Sequence, residues 1–237
     1  MSAENISQNT SPIAAMFDRI SPRYDLLNHL LSFNIDKIWR RKTVKAVAQH
    51  NPKHILDLAT GTADLALQLA KQIPQAQITG IDFSEKMLEI GKTKVKEQGM
   101  ESQIILLQGD AAHLPFGDGS FDAVTIAFGV RNFEDMPSSL SEIHRVLKPD
   151  GQLFILEFSM PTVFPIKQVY KLYFKNILPS IGSLISKDSS AYSYLPNSVL
   201  GFPTPDTFIN ILSQNRFQQT KKRAYSFGIA TLYTAAK

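Results

Sequence analysis

Apolar positions recur along the middle of the chain with two different spacings. Short, nearly continuous apolar runs, typical of buried strands, occur in HILDLA, QITGIDF, QIILLQGD, FDAVTIAF and QLFILEF. Between most of them apolar residues recur every three or four positions, which indicates amphipathic helices in DLALQLAKQI, EKMLEIGKTKVKEQG and PSSLSEIHRVL. Ser84 and Gly99 supply the N-cap and the C-terminal stop expected for the second of these helices. The alternation predicts an α/β fold, with a mostly parallel, twisted sheet and helices on both faces.

Three segments beside these strands and helices follow other patterns. Residues 12–42 carry apolar side chains at helical spacing and predict an N-terminal helical cover. Residues 160–205 lose the strand–helix rhythm and predict a helical lid, and residues 206–237 predict a closing helix followed by two antiparallel strands. We therefore predict that residues 1–237 form a single domain, with residues 43–159 as its core.

Composition excludes several classes of protein. The 237 residues include no cysteine, which excludes disulfides, thiolate-bound metals, iron–sulfur clusters and cysteine nucleophiles. The net charge of +4 is compatible with a nucleic acid, an anionic membrane surface or an acidic substrate, and selects none of them. No apolar run is long enough for a membrane span, and the polar start MSAENISQNTSP lacks the apolar core of a signal peptide. We therefore expect a cytoplasmic protein.

The segment DLATGTAD, which begins at Asp57, lies between the first predicted strand and the next helix. Nucleotide-binding proteins carry a glycine-rich turn at this place, but here only Gly61 remains, and Ala59 and Ala63 occupy the other glycine positions. The turn is either a decayed dinucleotide site or a site for a smaller ligand. Asp57 and Asp64 bracket it, which is unfavourable to a pyrophosphate and suits a ligand that carries positive groups.

Two further acids follow the next two strands. Asp82 ends the second strand, where a carboxylate can accept hydrogen bonds from both hydroxyls of a ribose. Asp110 ends the third strand and precedes Ala111, whose small side chain leaves room for a flat ring. A single acid at a strand end often only caps a helix, but acids in register after three consecutive strands predict an adenosine. Together with the acidic first turn, where Thr62 adds a hydroxyl, they predict S-adenosylmethionine as the ligand of the core.

Longer motifs give the chain a family resemblance. DLATGTAD, GIDFSEKML, GDAAHLPF and RVLKPDG are similar to motifs of class I S-adenosylmethionine-dependent methyltransferases in general. More specifically, MFDRISPRYDLLNHLLSF, FGVRNFED, LEFSMP and AYSYLPNSV resemble the quinone-ring C-methyltransferases of ubiquinone and menaquinone biosynthesis. Together these stretches extend over nearly the whole chain after residue 12. The resemblance implies a Rossmann-like fold with a helical lid, S-adenosylmethionine as cofactor without a metal, and methylation of a quinol ring.

The resemblance also implies residues of the cofactor site. Carried over position by position, it places four residues on the cofactor: Thr62, Asp82, Asp110 and Ala111. The acidic turn itself adds two more: Asp57 and Gly61. Thr60 and Ala63 replace glycines that are common in the family, which points to a tighter turn. Ala127 stands where some members have a serine that contacts the cofactor, so we leave it out of the predicted site.

Arg131 follows the fourth predicted strand and is the first catalytic candidate. Its guanidinium could stabilise a phenolate or orient a water that accepts the phenol proton, and an ion pair with Glu134 or Asp135 explains it equally well. Asp25 and His29, four residues apart in the predicted cover, are the second candidates, since they would share one helical face as an acid–base pair. The alternative for His29 is a buried packing residue.

Motifs that the chain lacks limit the range of possible methyl acceptors. Base-amine methyltransferases resemble one another in an Asn/Asp-Pro-Pro-aromatic turn after the fourth strand, where this chain has AFGVRN. Metal-dependent catechol enzymes need carboxylates there, and none precedes Glu134. A phenol-type ring fits what remains, and the resemblance implies that this ring belongs to a polyprenylated quinol. We expect no nucleic-acid partner. We predict that the enzyme converts demethylmenaquinol to menaquinol. The alternatives are methylation of the ubiquinol precursor, or of both, and a non-catalytic cofactor-binding subunit of a quinone-synthesis complex.

The predicted lid has an amphipathic pattern. Apolar residues recur at helical spacing from Ile166 to Leu178, and Lys167, Lys171 and Lys175 form a stripe on the other side. The pattern indicates either a lid helix with a solvated face or an amphipathic helix at a membrane surface that admits a polyprenyl tail. We favour the second interpretation, which predicts transient contact with the inner face of the membrane. The oligomeric state stays open.

Overall fold

The computed structural model describes residues 12–32, 34–172 and 189–237, without some side chains near residues 12–31, 171 and 189–195. Within these ranges seven strands form one sheet. They are β1 (His54–Leu58), β2 (Gln77–Asp82), β3 (Ile104–Gln108), β4 (Phe121–Ala127), β5 (Leu147–Phe158), β6 (Gln218–Tyr225) and β7 (Ala230–Ala236). Their order is β3-β2-β1-β4-β5-β7-β6. All neighbours from β3 to β5 are parallel, and only the pairs of β7 are antiparallel.

Helices connect most of the strands and frame the sheet. In the described ranges they are α1 (Pro12–Leu31), α2 (Ile35–Ala48), α3 (Asp64–Gln72), α4 (Glu85–Glu97), α5 (Met136–Val146), α6 (Ile166–Leu172), α7 (Ser189–Gly201) and α8 (Pro205–Gln214). Ser84 caps α4 as predicted, since its side chain accepts a hydrogen bond from the Met87 N–H. No helix among the described residues is long and apolar enough to cross a membrane.

Apolar side chains form a packed layer on each face of the sheet. One layer includes Trp39 of α2, Leu69 of α3 and Leu88 of α4, and the other includes Ile143 of α5 and Phe208 of α8, all of them buried. The predicted fold class, a mostly parallel sheet with helices on both faces, is therefore confirmed. The limits predicted for the cover, core and lid stay predictions, because residues 173–188 lie outside the described ranges.

Strand β5 begins earlier than the sequence pattern suggested. The apolar run QLFILEF predicted a strand that begins after the KPDG segment, but β5 already starts at Leu147. Its pairing with β4 skips from Leu147, opposite Phe121, to Gln152, opposite Ala123. The residues between them therefore bulge out of the ladder, with Asp150 in the left-handed region at φ 64°. The KPDG segment therefore forms a turn-like bulge within strand β5.

The strand order reverses beside β1, and this reversal positions the site. From β1 the chain moves outward to β2 and β3, and it then returns to place β4 on the other side of β1. The carboxyl ends of β1 and β4 consequently open a crevice, which is where open α/β sheets bind ligands. Helix α1 packs against α4 beside this edge, so the cover predicted from the N-terminal pattern borders the crevice.

Candidate active site

Two adjoining cavities occupy the crevice. The larger cavity, of about 640 Å³, is lined by residues that follow β1, β2, β3 and β4 and by side chains of α1. The smaller cavity, of about 350 Å³, lies beside the turn after β1. Tyr24, Ala59 and Gly61 line both cavities, so the two cavities adjoin at these residues and are treated together as the cleft. The cleft therefore collects the motifs that the sequence placed at successive strand ends.

The turn after β1 keeps a glycine-like backbone although only one glycine remains in it. Ala59, Gly61 and Ala63 have φ values of 51°, 56° and 65°, and a left-handed conformation costs a non-glycine residue roughly 1–2 kcal/mol. A Cβ added to Gly61 would meet no atom within 4 Å, because this residue faces the open cleft. On the opposite side, a Cβ on Gly129 would come within 2.3 Å of the Ala59 Cβ. The turn after β4 therefore packs tightly against the turn after β1.

Asp57 ties the end of β1 to its surroundings. Its carboxylate is buried and accepts hydrogen bonds from the hydroxyls of Thr125, at 2.6 Å, and Thr60, at 2.7 Å. Burial raises the pKa of Asp57 to about 6, against the lowering effect of these two hydrogen bonds. The residue lines the smaller cavity, but one interaction of each carboxylate oxygen is made within the protein. The hydrogen bonds of Asp57 therefore hold the end of β1 in place whether or not a ligand is bound.

Asp82 lies on the wall of the larger cavity and holds two loops together. One carboxylate oxygen accepts a hydrogen bond from the Gly61 N–H at 2.7 Å, and the other accepts one from the Ser84 N–H at 2.9 Å. Burial raises the pKa of Asp82 to about 6, although both of these N–H groups lower it. An ionised carboxylate offers about four acceptor sites. The N–H group of Phe83 uses a further part of this capacity, and the rest is left for a hydroxyl group of a ligand in the cleft.

The loop after β3 supplies small residues to the larger cavity. Gly109 and the buried Ala111 line it. The carboxylate of Asp110 accepts a hydrogen bond from the Ala112 N–H at 2.8 Å and lies 3.2 Å from Nδ1 of the exposed His113. Asp110 therefore fixes its own loop. Apolar side chains complete the wall beside it: Phe83, Met87 and Phe133.

Thr62 belongs to the smaller cavity. Its buried hydroxyl accepts a hydrogen bond from Nζ of Lys94 at 2.9 Å, and the same ammonium pairs with Asp64 at 2.8 Å. Gly91, one turn before Lys94, lets α4 pack closely here, because a Cβ there would lie 2.9 Å from a methyl carbon of Leu106 and 3.3 Å from the carbonyl carbon of Thr62. Helix α4 therefore supports the turn after β1 from behind.

Arg131 is held in a buried ion pair. Its Nη1 donates to Oε1 of Glu157 at 2.7 Å, and the two side chains are 6% and 0% exposed. Its Nε donates to the Ser198 hydroxyl at 3.2 Å, and its guanidinium lies 5.5 Å from the centre of the Phe158 ring. Arg131 is not among the residues that line either described cavity. Its charge is therefore engaged inside the protein.

This ion pair corrects the sequence-based alternative for Arg131. An ion pair with Glu134 or Asp135 was one of the two explanations considered, and the ion pair that the structure shows is made with Glu157. Asp135 instead caps α5 by accepting hydrogen bonds from the N–H and hydroxyl of Ser138. The signal that sequence reasoning missed is the single acid inside the otherwise apolar run QLFILEF, since a buried charge in a strand requires a partner.

Asn132, next to Arg131, does line the larger cavity. Its side-chain oxygen accepts a hydrogen bond from the Tyr194 hydroxyl of α7 at 2.9 Å. The Tyr194 ring lies edge-on to Phe17 of α1, which in turn lies edge-on to Tyr24. Aromatic side chains of α1 and α7 thus border the cleft near the turn after β4. The sequence placed these helices over the site but did not identify the contacts.

The model of the ubiE/COQ5 methyltransferase family matches residues 4–237. The chain belongs to this family. A demethylmenaquinone methyltransferase of Bacteroides fragilis is 45% identical over 98% of this chain and 95% of its own length. A ubiquinone/menaquinone biosynthesis C-methyltransferase UbiE of Citrifermentans bemidjiense is 46% identical over 98% of this chain and 99% of its own length. A demethylmenaquinone methyltransferase of Thermus thermophilus is 47% identical over 92% of this chain and 98% of its own length.

Solved structures with a similar fold differ in their reactions. The [4+2]-cyclase SpnF is 16% identical, with a TM-score of 0.69 over 100% of this chain and 99% of its own. Human N-acetylserotonin methyltransferase, solved in complex with SAM, is 17% identical, with a TM-score of 0.66 over 96% of this chain and 59% of its own. These likenesses show the fold alone. The evidence that this chain is a methyltransferase comes from its membership of the ubiE/COQ5 family.

The structure does not describe several side chains for which the sequence predicted a role in this methyltransferase. Asp25 and His29 belong to α1, but their side chains are not described, so their acid–base pairing stays a prediction. In the predicted lysine stripe, Lys167 is on α6, whereas the side chain of Lys171 and all of Lys175 lie outside the described residues. By contrast, the sequence missed Asp18 of α1, whose carboxylate accepts a hydrogen bond from the Ser84 hydroxyl. This contact attaches the cover to the loop after β2.

Proposed function

We propose that the protein transfers the methyl group of S-adenosylmethionine to a ring carbon of demethylmenaquinol, giving menaquinol and S-adenosylhomocysteine. The observation that carries this proposal is the 45% identity, over 98% of the chain, to a relative named demethylmenaquinone methyltransferase. The cleft at the carboxyl ends of the parallel strands supports it, because it combines an acid after β2 with small and apolar walls after β3.

The residues of the cleft fit this cofactor. Open space at Gly61 lets a ligand approach the backbone of the turn after β1. The carboxylate of Asp82, beside it, would accept hydrogen bonds from the ribose. The small side chain of Ala111 and the apolar wall beside it suit an adenine ring. A cofactor held in this way would present its sulfonium near Tyr24 and Gly61, where the two cavities meet.

The proposed reaction needs no metal and no oxidant. The bound cofactor supplies an electrophilic methyl group. Loss of the hydroxyl proton makes the neighbouring ring carbon of the quinol nucleophilic, and this carbon bonds to the methyl group as the carbon–sulfur bond breaks. The same carbon then loses its hydrogen as a proton and the ring oxygen takes one up, so the ring becomes aromatic again, the quinol is restored and one proton is released overall. The protein must align the carbon with the methyl group, exclude water and favour the phenolate.

On the substrate side of the cleft, we assign parts of this work to individual described residues. The side-chain oxygen of Asn132 is occupied by the Tyr194 hydroxyl, so the amide N–H groups can donate to an oxygen of the quinol. Phe17 and Phe133 supply apolar walls for the ring. Because Arg131 is engaged with Glu157, we propose that it fixes the backbone next to Asn132 and does not contact the phenolate. Asp25 and His29 remain proposed proton acceptors on α1.

A second substrate is favoured by the relatives named ubiquinone/menaquinone biosynthesis C-methyltransferase. The same cleft would then accept the demethylated benzoquinol as well as the naphthoquinol. Purified protein offered equal concentrations of both quinols should methylate the naphthoquinol with the larger kcat/KM. A larger kcat/KM for the benzoquinol would contradict the main proposal and make the ubiquinol precursor the proposed substrate. A protein that binds the cofactor but methylates neither would instead be a non-catalytic subunit of a quinone-synthesis complex.

We further propose that the lid contacts the surface of a membrane, where a polyprenylated quinol resides. On the described part of the lid, large apolar side chains are exposed: Phe164 by 78%, Val169 by 64% and Leu172 by 59%. Exposed apolar residues beside basic ones are typical of interfacial helices. This contact would bring the enzyme from the cytoplasm to the inner face of the membrane without a spanning helix.

The lysine stripe tests this contact. Replacing Lys167, Lys171 and Lys175 together by glutamine should weaken binding to anionic vesicles at least about tenfold, because each lysine near such a surface contributes roughly 1 kcal/mol. Co-sedimentation with vesicles measures the change, and activity on a short-tailed, soluble quinol should be retained. As a matched control, three exposed α4 lysines are replaced in the same way: Lys86, Lys92 and Lys96. Equal losses in both triple variants would contradict a specific role of the lid.

The pKa of Asp82 predicts how cofactor binding depends on pH. Since burial raises this pKa to about 6, the carboxylate is ionised above that pH and protonated below it. The ionised form is the better acceptor for ribose hydroxyls. The affinity for S-adenosylhomocysteine, measured by calorimetry, should therefore be full above pH 7 and fall about tenfold by pH 5. Asp82→Asn should bind more weakly and lose this pH dependence. If the dependence persists in that variant, another group such as Asp57 causes it.

A further inference from the structure

Arg40 is a buried cation on the inner side of α2. The residue is 6% exposed. Its Nη1 donates to a carboxylate oxygen of Asp36, whose other oxygen accepts a hydrogen bond from the Ser32 hydroxyl at 2.6 Å. The guanidinium carbon lies 5.2 Å from the centre of the Phe128 ring. These contacts hold the guanidinium in one place, and burial makes any donor without a partner costly.

Most donors of this guanidinium have no partner in the described part of the protein. An arginine side chain carries five N–H groups, and the hydrogen bond to Asp36 uses one of them. Among the described side chains, a few nitrogen or oxygen atoms are shielded from solvent and have no hydrogen-bond partner. The nitrogen atoms of Arg40 do not belong to this group. Instead the residue lines the smaller cavity. The remaining N–H groups are therefore available to a ligand there.

The smaller cavity carries charges of both signs. Its lining includes the guanidinium of Arg40 and the carboxylates of Asp57 and Asp64, with Thr60 and Thr62 between them. The cavity is therefore suited to a small zwitterion. It adjoins the larger cavity at Gly61, whose N–H donates to Asp82. A ligand with its ribose at Asp82 would extend its other end past Gly61 into this polar space.

We propose that Arg40 binds the α-carboxylate of the methionine part of the cofactor. The inference rests on the proposed function, since it takes S-adenosylmethionine as the ligand of the cleft. The amino-acid end of that molecule is a zwitterion, so its carboxylate faces Arg40 and its ammonium faces the carboxylate side of the same cavity. The planar guanidinium matches a carboxylate with two parallel hydrogen bonds. Asp36 is a positioning residue, because it holds Arg40 and does not reach the ligand itself.

Two ligands separate this role from a purely structural one. S-adenosylhomocysteine carries the amino-acid end, and 5′-methylthioadenosine lacks it. Arg40→Met should lower the affinity for S-adenosylhomocysteine about 10- to 100-fold, as expected for the loss of charge-assisted hydrogen bonds, and should change the affinity for 5′-methylthioadenosine less than about twofold. Calorimetry measures both affinities. Arg41→Met is the matched control, because Arg41 is the exposed neighbour on the same helix, and it should bind both ligands normally.

The outcomes are distinct. Equal weakening of both ligands by Arg40→Met would show that Arg40 only supports the fold of the site, and no weakening would place the carboxylate elsewhere; either result overturns the proposal. If the Met variant does not fold, Arg40→Lys is compared with the wild type, using S-adenosylhomocysteine and its decarboxylated analogue. The wild type should prefer the carboxylate-bearing ligand at least about tenfold, and the Lys variant should reduce that preference. An unchanged preference would contradict the proposal.

These binding measurements contain no methyl acceptor. Failure of the proposed function, seen as no turnover of demethylmenaquinol, therefore leaves the test of Arg40 intact. Conversely, an active enzyme whose Arg40 variants bind both ligands like the wild type would overturn the inference and leave the proposed reaction standing. If the wild type binds neither ligand, the cofactor assignment fails and the inference fails with it.

Discussion

Asp82→Ala should lower the affinity for S-adenosylhomocysteine by at least about tenfold, since charge-assisted hydrogen bonds contribute roughly 1.5–3 kcal/mol each. Two losses add together in this variant. The ribose hydroxyls lose their proposed acceptor, and the N–H groups of Gly61 and Ser84 lose the carboxylate that holds them. The turn after β1 and the loop after β2 are then no longer fixed to each other. Calorimetry on protein with a native circular dichroism spectrum measures the effect.

A matched variant separates this site from a general effect of removing a carboxylate. Asp118 pairs with Arg145, and its side chain is 82% exposed. Because it lines neither described cavity, Asp118→Ala should bind S-adenosylhomocysteine like the wild type. Unchanged affinity in Asp82→Ala would contradict the assignment of the adenosine to the larger cavity.

Arg131→Met should destabilise the protein by about 3–5 kcal/mol, which is typical when one partner of a buried ion pair is removed. The variant leaves the carboxylate of Glu157, which is fully buried, without its cation. The hydrogen bonds to the Phe128 carbonyl and the Ser198 hydroxyl are lost as well. Denaturant unfolding measures the change. A Met variant as stable as the wild type would contradict the importance of this pair.

The double variant Arg131→Met/Glu157→Gln tests the cause of that loss. Because glutamine carries no charge to bury, the double variant should recover a large part of the lost free energy of unfolding. If it is no more stable than Arg131→Met alone, the uncompensated carboxylate is not the reason for the destabilisation.

Turnover per folded molecule separates the two roles considered for Arg131. Direct contact with the phenolate predicts that Arg131→Met lowers kcat about 10²-fold or more with little change in cofactor affinity. A role through Asn132 predicts a smaller loss, roughly tenfold, that Arg131→Lys partly restores because lysine keeps a charge for Glu157. We expect the second result. A 10²-fold loss that lysine does not restore would return Arg131 to the position of catalytic residue.

The sequence predicted the sheet and the place of the site because both depend on local patterns. Apolar runs separated by amphipathic helices predict parallel strands, and the handedness of their connections limits the possible topologies. The carboxyl ends of such strands meet at one edge. Asp82 and Ala111 could therefore be assigned to the same cleft without knowledge of any contact between them.

The partners inside the site could not be predicted in the same way. The Arg131–Glu157 pair joins residues that follow or end β4 and β5, and only the register of those strands brings them together. The N–H groups of Arg40 that have no partner among the described residues could likewise not be predicted, because they depend on the position of α2 beside the turn after β1. Charges on different elements leave no periodic signal, so their partners depend on tertiary packing.

Transfer of a labelled methyl group tests the central claim most directly. The purified protein is incubated with demethylmenaquinol and S-adenosylmethionine that carries a labelled methyl group, and the products are identified by mass spectrometry. We predict menaquinol with a single labelled methyl group on a ring carbon, and one S-adenosylhomocysteine for each product molecule. A methyl group on an oxygen, or no transfer by a protein that binds S-adenosylhomocysteine, would contradict the proposed reaction.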